Sequence, residues 1–574
     1  MENQYSKIYP QKWAQILFLL GFCFIVYFVN LGRWDLWNPD EPRYAQVAKE
    51  MVNGGDWALM HYNGKNYGNK PPLFFWLIAL SSYLWQGFTS FSVRFPPALF
   101  GTLTVLLTFL IGKDLYSSRT GFLSGLVLAT SVEFAYISTR ADTDSTLTFF
   151  TTASLFCFLR WYQNGLSSLS PLSVEEKQEV RGAWMDRGYG KNLLIYGFYI
   201  GMALATLVKG PVGFILPLLV SLIYLGAQRD WKGIKGMKLL PGMVLMIVIV
   251  LSWYVPAAWK GGKDFLNQTL MVHTIDRFAS GWSKVRPFYY YFYNFPVDFM
   301  PWVLFLPAAI VYGFSREAFK KRKEFLFLLV WFVVIFLFFS LSKGKRPLYL
   351  LPLYPAASLM IGKLLDDFIS VRMERFRHEW ISVPLHGLMG LILIAGAVIP
   401  FIPWVVSRKF PAYLSYLTYF PYLIPVAFLM VGGSLALFIL YLFKKYGAVL
   451  FLIIGMMGAG FFYTSGVIFP LVNPYKSARY ISEEVKARIQ PGERLGIFGD
   501  LGTGPYNFYT GIVPILELEK KEDLFNFLQS SDRVFCLLQF GGFDLFQTME
   551  GWPKVQLIAR RKVGHNDVVL ISNR

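Results

Sequence analysis

Apolar runs of about 17 to 22 residues recur along the first 471 positions, each long enough for an α-helix to cross roughly 30 Å of hydrocarbon. Short basic stretches punctuate them at 113–119, 160–191, 229–238, 316–323, 363–377 and 444–445. Setting these on the cytoplasmic side makes the positive clusters alternate with the spans. The pattern then predicts about thirteen crossings, near 13–31, 95–112, 121–139, 143–160, 192–208, 211–227, 239–257, 300–314, 325–341, 347–364, 383–404, 420–443 and 447–471. Residues 72–88 are apolar enough to cross, but a crossing there would invert every later loop. They are therefore expected to lie in the outer interface as an amphipathic helix. The first run follows Lys7 and Lys12 and has no small-residue cleavage site, so it reads as a retained span with a cytoplasmic N-terminus. An odd count of crossings puts the C-terminus outside.

Residues 472–574 change character and form a second domain after the membrane domain of 1–471. They are charged and turn-rich, with β-like runs at 494–498, 513–516, 534–539 and 568–571 and helical periodicity at 475–489 and 521–530. A small α/β domain on the outer face is expected. Gly502-Thr503-Gly504-Pro505 is too little pattern for a phosphate loop.

Composition agrees with the spans: of 574 residues 55% are hydrophobic and only 16% charged, which excludes a soluble multidomain protein. The net charge of +19 would point to nucleic acid in a soluble chain. Here much of it sits in the loops between spans, so no nucleic-acid partner is expected. Cys23 and Cys157 lie in apolar runs and Cys536 stands alone in the tail, which leaves no disulfide framework and no cysteine metal cluster there.

The orientation sorts the polar residues. Asp40, Glu41 and Arg43, then Asn69-Lys70-Pro71-Pro72, Arg140 with Asp142 and Asp144, Lys209-Gly210-Pro211, the loop 273–286 with His273 and Arg277, and Lys343-Gly344-Lys345-Arg346 all fall outside. Ionisable groups this close to hydrocarbon are costly and usually paired or functional. Such a set suits group transfer from a lipid phosphate. Lys70, Lys209, Arg277, Lys343 and Arg346 would hold the phosphate as charge develops on it, and the carboxylates would deprotonate a hydroxyl or orient a sugar. Each element also has a plainer reading. Asp40-Glu41 suits a helix first turn; Lys70 suits an interfacial anchor; Asp142 or Asp144 can pair with Arg140; His273 suits packing; 343–346 suits a head-group anchor.

The blocks Asp40-Glu41-Pro42-Arg43-Tyr44-Ala45, Gly55-Asp56-Trp57, Asn69-Lys70-Pro71, Arg94, Asp144-Ser145-Thr146-Leu147-Thr148-Phe149-Phe150, Lys209-Gly210, Ile275-Asp276-Arg277-Phe278, Pro301-Trp302 and Ser342-Lys343-Gly344-Lys345-Arg346-Pro347-Leu348-Tyr349 stand in the order found in a known family. The chain resembles the GT-C membrane glycosyltransferases, in the bacterial aminoarabinose transferase branch related to protein O-mannosyltransferases. The resemblance implies an α-helical polytopic fold with interfacial helices in the first outer loop. It also implies an inverting enzyme of the bacterial inner membrane, taking a sugar from a polyprenyl phosphate on the periplasmic side and passing it to lipid A, another envelope glycan or a protein.

By that resemblance Asp40 is the essential first-loop acid and Asp144 a second acid, with Glu41 beside them. Lys70 and Arg277 lie near the donor phosphate, joined by Lys209, Lys343 and Arg346. Tyr349 matches a cavity tyrosine of the family, and Arg43, Tyr44, Asp142 and His273 are expected to line the same substrate cavity. Two places depart from the pattern: a glutamate usually precedes the lysine, and a histidine the Ile-x-Arg-Phe block, where this chain has Asn69 and Thr274. One displaced histidine and an asparagine make a poor zinc site, so no cofactor is expected and at most a weakly held divalent ion. A monomer in contact with membrane lipids is expected. A transporter of lipid-linked sugars is the competing reading; it requires polar residues to continue into the cytoplasmic half of the spans, and the acids collect at one face instead.

Overall fold

The structure is a computed structural model that describes residues 12–167, 189–267, 269, 285–370, 373, 376, 378–549 and 551–574. Among these, eight helices are long and apolar enough to cross a membrane: Ser90–Leu115, Asn192–Lys209, Leu239–Leu266, Arg322–Leu341, Pro347–Ile369, Glu379–Lys409, Leu417–Leu442 and Tyr446–Lys476. Two bent pairs raise the number to ten, Ser118–Ala129 with Val132–Ser138 at 72° and Tyr290–Asp298 with Trp302–Gly313 at 111°. The chain is thus a multi-pass membrane protein. The expected thirteen is reached only if three further helices also cross. Lys12–Phe28 and Val212–Ala227 are shorter. Thr143–Ser167 is rich in hydroxyls, which lower its hydropathy while satisfying themselves on its own carbonyls (Thr148 Oγ1 to Asp144 O, 2.8 Å; Ser154 Oγ to Phe150 O, 2.9 Å).

In chain order, the elements that shape the site begin with α1 (Asp40–Gly54), which ends at Gly55 in the left-handed region. The hairpin of β1 (His61–Tyr62) and β2 (Lys65–Asn66) follows, then α2 (Leu73–Leu84). At twelve residues α2 is about 18 Å long, short of the hydrocarbon thickness. It buries Phe74, Phe75 and Ile78 against Tyr44, Ala48 and Met51 of α1. A capping box at Thr89 and Ser92 starts α3 (Ser90–Leu115). Within α3, the Pro97 carbonyl accepts from the Ser145 hydroxyl at 2.8 Å, which ties the helix to α4 (Thr143–Ser167). Helix α5 (Tyr189–Lys209) ends in a reversal at Gly210, where φ is +78°, a conformation that suits glycine. Pro211 then opens the next helix, so Lys209 stands at the tip. A 3₁₀ stretch, Pro347–Leu353, leads into α6 (Tyr354–Ile369).

The tail forms a five-stranded sheet from β3 (Arg494–Phe498), β4 (Leu516–Leu518), β5 (Val534–Gln539), β6 (Gln556–Val563) and β7 (Asn566–Ser572). Its order is β4-β3-β5-β7-β6, parallel in the first three strands and antiparallel beyond. Two of the four expected runs match to the residue, 513–516 shifts to Leu516–Leu518, and 568–571 lies inside β7. Strand β6 was not anticipated, because Gln556–Val563 is mostly exposed and its basic residues hide the alternation.

The tail is tied to the first loop by polar groups. Asn63 uses its whole side-chain amide on it, donating to Ile515 O and Glu517 Oε1 at 2.9 Å each and accepting from Ile515 N at 2.7 Å and Asn507 Nδ2 at 2.9 Å. Asn473 Oδ1 accepts from Asp35 N at 3.1 Å and Trp37 Nε1 at 2.9 Å.

Candidate active site

Asp40 and Glu41 open α1 side by side, and one step of about 100° around a helix sends them to different neighbourhoods. Glu41 is 1% exposed and enclosed. It accepts from Arg94 Nε at 2.7 Å and Nη2 at 2.9 Å, from Trp37 N at 3.0 Å and from Ala141 N at 2.9 Å, with Arg140 Nη2 at 3.5 Å. Arg94 is itself fully buried. It donates to the carbonyls of Leu31, Trp34 and Asp35, and its guanidinium lies 4.4 Å from the centre of the Trp34 ring. Burial alone would raise the Glu41 pKa, but the Arg94 and Arg140 charges and these hydrogen bonds hold it at about 2. Glu41 is therefore a permanently charged clamp that folds the first loop, which corrects its expected place among the catalytic acids. The same contacts correct the expected pairing of Arg140, which reaches Glu41 and the Tyr136 hydroxyl rather than Asp142 or Asp144.

Asp40 faces the other way. Its Oδ1 pairs with Arg43 at 2.5 Å and its Oδ2 with Arg346, from just ahead of the 3₁₀ stretch, at 2.9 Å. Burial pushes its pKa up, but Arg43, Arg346 and Lys70 together hold it below the usual carboxylate range. Lys70, on the segment before α2, donates to Thr143 Oγ1 at 3.3 Å. That hydroxyl lies 3.3 Å from Asp142 Oδ1 and 3.4 Å from Asp144 Oδ2. Asp144 is fully buried in the first turn of α4 and pairs with Lys209, whose ammonium also sits 4.4 Å above the Tyr349 ring. Asp142, in the turn ahead of α4, accepts from Thr143 N at 2.7 Å. Burial and its neighbours Asp144 and Asp40 push its pKa up, against a smaller pull down from Arg346 and Lys70.

Residues from five separate parts of the chain thus meet at one end of the helices: Asp40 with Arg43, Lys70, Asp142 with Asp144, Lys209, and Arg346 with Tyr349. Not every expected member joins them. The Tyr44 ring packs edge-on against Phe74 and Phe75 at 5.8 and 5.7 Å and is 1% exposed. Its ring serves the α1–α2 contact, while its hydroxyl turns toward Arg43, Asp40 and Asp142. Lys343 is exposed, and among the described residues only its carbonyl is engaged, by Arg286 N at 3.2 Å. Its neighbour Lys345 is the buried one, donating to Arg286 O at 3.1 Å and to Ser342 O, and so folding the strap that delivers Arg346. His273 and Arg277 lie outside the described residues.

Three contributors were not expected as site residues: Arg94 and Arg140, which fix Glu41, and Thr143, which joins three charged groups. Thr143 carried a signal, standing between two aspartates at the start of a helix. Among the described residues no three His, Cys, Asp or Glu side chains are grouped to hold a metal ion.

The family model for dolichyl-phosphate-mannose-protein mannosyltransferases matches residues 14–265, which include Asp40, Lys70, Asp142, Asp144 and Lys209. An undecaprenyl phosphate-alpha-4-amino-4-deoxy-L-arabinose arabinosyl transferase of Aeromonas hydrophila is 31% identical over 396 residues, 68% of this chain and 66% of the length of that relative. An uncharacterized protein of Aquifex aeolicus is 29% identical over 86% of both chains. In fold, the chain superposes on the crystal structure of ArnT from Cupriavidus metallidurans bound to undecaprenyl phosphate, with a TM-score of 0.78, 20% identity, and 97% and 98% of the two chains covered. The chain belongs to the GT-C membrane glycosyltransferases, in the branch of the bacterial aminoarabinose transferases related to the protein O-mannosyltransferases.

Proposed function

We propose that this chain transfers a sugar from a polyprenyl phosphate to an acceptor of the bacterial envelope, lipid A foremost, on the periplasmic face of the inner membrane. The observation that carries the reading is the meeting of Lys70, Lys209, Arg43 and Arg346 with Asp40, Asp142 and Asp144 at one end of the helices. In transfer, the anomeric carbon leaves the donor phosphate and negative charge grows on the phosphate oxygens; preorganised cations lower that barrier. An apolar polyprenyl tail fits between membrane helices, which accounts for placing the site at their ends. The name of the Aeromonas relative and the ligand of the ArnT crystal structure support a polyprenyl-phosphate donor. A protein acceptor is the second reading, favoured by the match to the protein mannosyltransferase family model.

In this reading the N-terminus is cytoplasmic, the tail is periplasmic, the protein works as a monomer, and charge neutralisation falls to the side chains named, without a cofactor. The test is mass spectrometry of lipid A, glycan and protein fractions from cells with the protein, without it, and with Asp40→Asn. A sugar mass that appears on lipid A only with the active form supports the reading, and a sugar on protein alone moves the acceptor. No sugar gained in any fraction sinks it.

A further inference from the structure

The three carboxylates that meet at the helix ends are not equivalent. Both oxygens of Asp40 are engaged by arginines, Arg43 at 2.5 Å and Arg346 at 2.9 Å. Asp144 is paired with Lys209. Asp142 has no ion pair among the described residues; its Oδ1 meets the backbone N–H and hydroxyl of Thr143 at 2.7 and 3.3 Å, and no described donor reaches its Oδ2. It is 7% exposed. Protonating Asp40 or Asp144 breaks a buried ion pair, whereas protonating Asp142 removes a charge held close to two like charges.

Resting on the glycosyltransferase reading above, we propose that Asp142 accepts the proton of the attacking group, and that this group is therefore an acceptor hydroxyl and not a phosphate oxygen.

An ionised phosphate needs no base and is repelled by a buried carboxylate beside it. A hydroxyl does need one, since an alcohol at neutral pH holds its proton. In the step, the hydroxyl oxygen bonds to the anomeric carbon and its proton passes to Asp142. The bond from that carbon to the donor phosphate oxygen breaks, and its electron pair leaves on the polyprenyl phosphate beside Lys70 and Lys209. Asp40 is left to fix Arg43 and Arg346 in place. The charged and titratable groups facing Asp142 are Asp144 on α4, Asp40 and Tyr44 on α1, Lys70 before α2, Arg346 before the 3₁₀ stretch, Arg140 in the preceding turn and Glu133 beyond it. Burial with the two aspartates outweighs the cations and raises its proton affinity, the direction a base needs near neutral pH.

The full-length chain is tested in cells as wild type, Asp142→Asn, Asp142→Glu and Asp40→Asn. Asparagine is as good a helix cap as aspartate, so Asp142→Asn keeps the turn ahead of α4. Membrane levels and thermal unfolding of each variant confirm the fold. The sugar product is treated with mild acid, which cleaves glycosyl phosphates and spares glycosides of hydroxyls, and then with alkali, which releases sugars from Ser and Thr. The proposal expects an acid-stable product, a loss of about 100-fold or more in Asp142→Asn, as for removal of a general base, and partial return in Asp142→Glu. Wild-type turnover in membranes from these cells should fall as pH drops through a midpoint above the usual carboxylate range, and the residual activity of Asp142→Asn should lack that limb. Release by alkali places the hydroxyl on protein, and retention places it on a glycan or lipid A. An acid-labile product, or an Asp142→Asn enzyme within threefold of wild type, overturns the proposal and leaves the transferase standing. No sugar product with wild type overturns the function itself.

Discussion

Buried carboxylates stand at both ends of α3, a helix of 26 residues and about 39 Å, and the two groups are built differently. Beyond its C-terminus Asp366 accepts from Thr120 Oγ1 at 2.6 Å and Ser117 Oγ at 3.1 Å and pairs with Arg119 at 3.0 Å. Asp367 takes the Tyr312 hydroxyl at 2.7 Å and Lys363 at 2.7 Å. Each of these acids has its own cation and its own hydroxyl from a neighbouring helix, so its charge locks helices together. Near the N-terminus Glu41 likewise has its own cation in Arg94, with backbone N–H groups of Trp37 and Ala141 in place of a hydroxyl. Asp40, Asp142 and Asp144 are also buried, but they crowd into one small space: Asp40 pairs with Arg43 and Arg346 and Asp144 with Lys209, while Asp142 has no ion pair among the described residues. Burial and charge thus do not separate structural from chemical acids. What sets the site end apart is that its acids stand close to one another and one of them, Asp142, has no cation of its own among the described residues.

The largest expected effect is at the clamp. Arg94→Met strips buried Glu41 of its closest cation, leaving Arg140 at 3.5 Å and two backbone N–H groups, and losing one partner of a buried pair costs about 3–5 kcal/mol. Thermal unfolding of the purified chain in detergent should show a steep loss of stability; a variant as stable as wild type breaks the division between clamp and site. The pH dependence has a definite sign. Folding lowers the Glu41 pKa to about 2, so its stabilisation is complete above the unfolded carboxylate value near 4.3 and fades as pH falls toward 2. Wild type should lose stability across that acid window, and Arg94→Met should lose less.

Next come Asp40→Asn and Lys70→Ala. Each removes a group that holds the cationic pocket together or faces the donor phosphate. A loss of roughly 10²–10³ in turnover is expected, about 3–4 kcal/mol of barrier, on the scale of removing one oxyanion donor. The folded fraction should stay near that of wild type. Near-normal turnover in either purified variant removes it from the site.

Many of the apolar helices and the small C-terminal domain were legible because hydrophobic length and the change of composition after residue 471 report them directly. The adjacent acids Asp40-Glu41 were legible as a site but not as two jobs, since neighbours in sequence give no hint of which way each faces. Arg94 stood among the blocks that carry the resemblance but with no hint of what it holds, since the carbonyls it satisfies come from residues 31–35, about 60 positions earlier. The pairing of Asp144 with Lys209 depends on where two helix ends meet, which periodicity does not encode. Asp366 and Asp367 were read as part of a basic cytoplasmic loop, and their hydroxyl partners on the neighbouring helices were invisible until the helices were packed.

A smaller effect is expected at the far end. Asp366→Asn keeps a carbonyl oxygen for Thr120 but loses the charge that Arg119 meets, for about 1–2 kcal/mol of stability, within the range for a hydrogen bond to a charged group. Turnover per folded molecule should be unchanged. A drop in turnover at equal folded amount would tie this end to the reaction and dissolve the contrast.

The smallest changes sharpen the comparison most, because the same atom can be removed at both ends. Ser117→Ala deletes a hydroxyl from Asp366, and Thr143→Val deletes the one that joins Lys70, Asp142 and Asp144. A single hydrogen bond contributes about 0.5–1.5 kcal/mol net, so both variants should fold with only a slight fall in Tm. At the Asp366 end the charge keeps Thr120 and Arg119, and turnover should not move. At the site end the Lys70 ammonium, Asp142 and Asp144 all lose the hydroxyl that joins them. A misplaced cation weakens the field on the leaving phosphate, and turnover should fall about tenfold, the equivalent of about 1.4 kcal/mol. Equal turnover in the two variants would mean that the site end is as rigidly partnered as the far end, and that its cations are a structural lock after all.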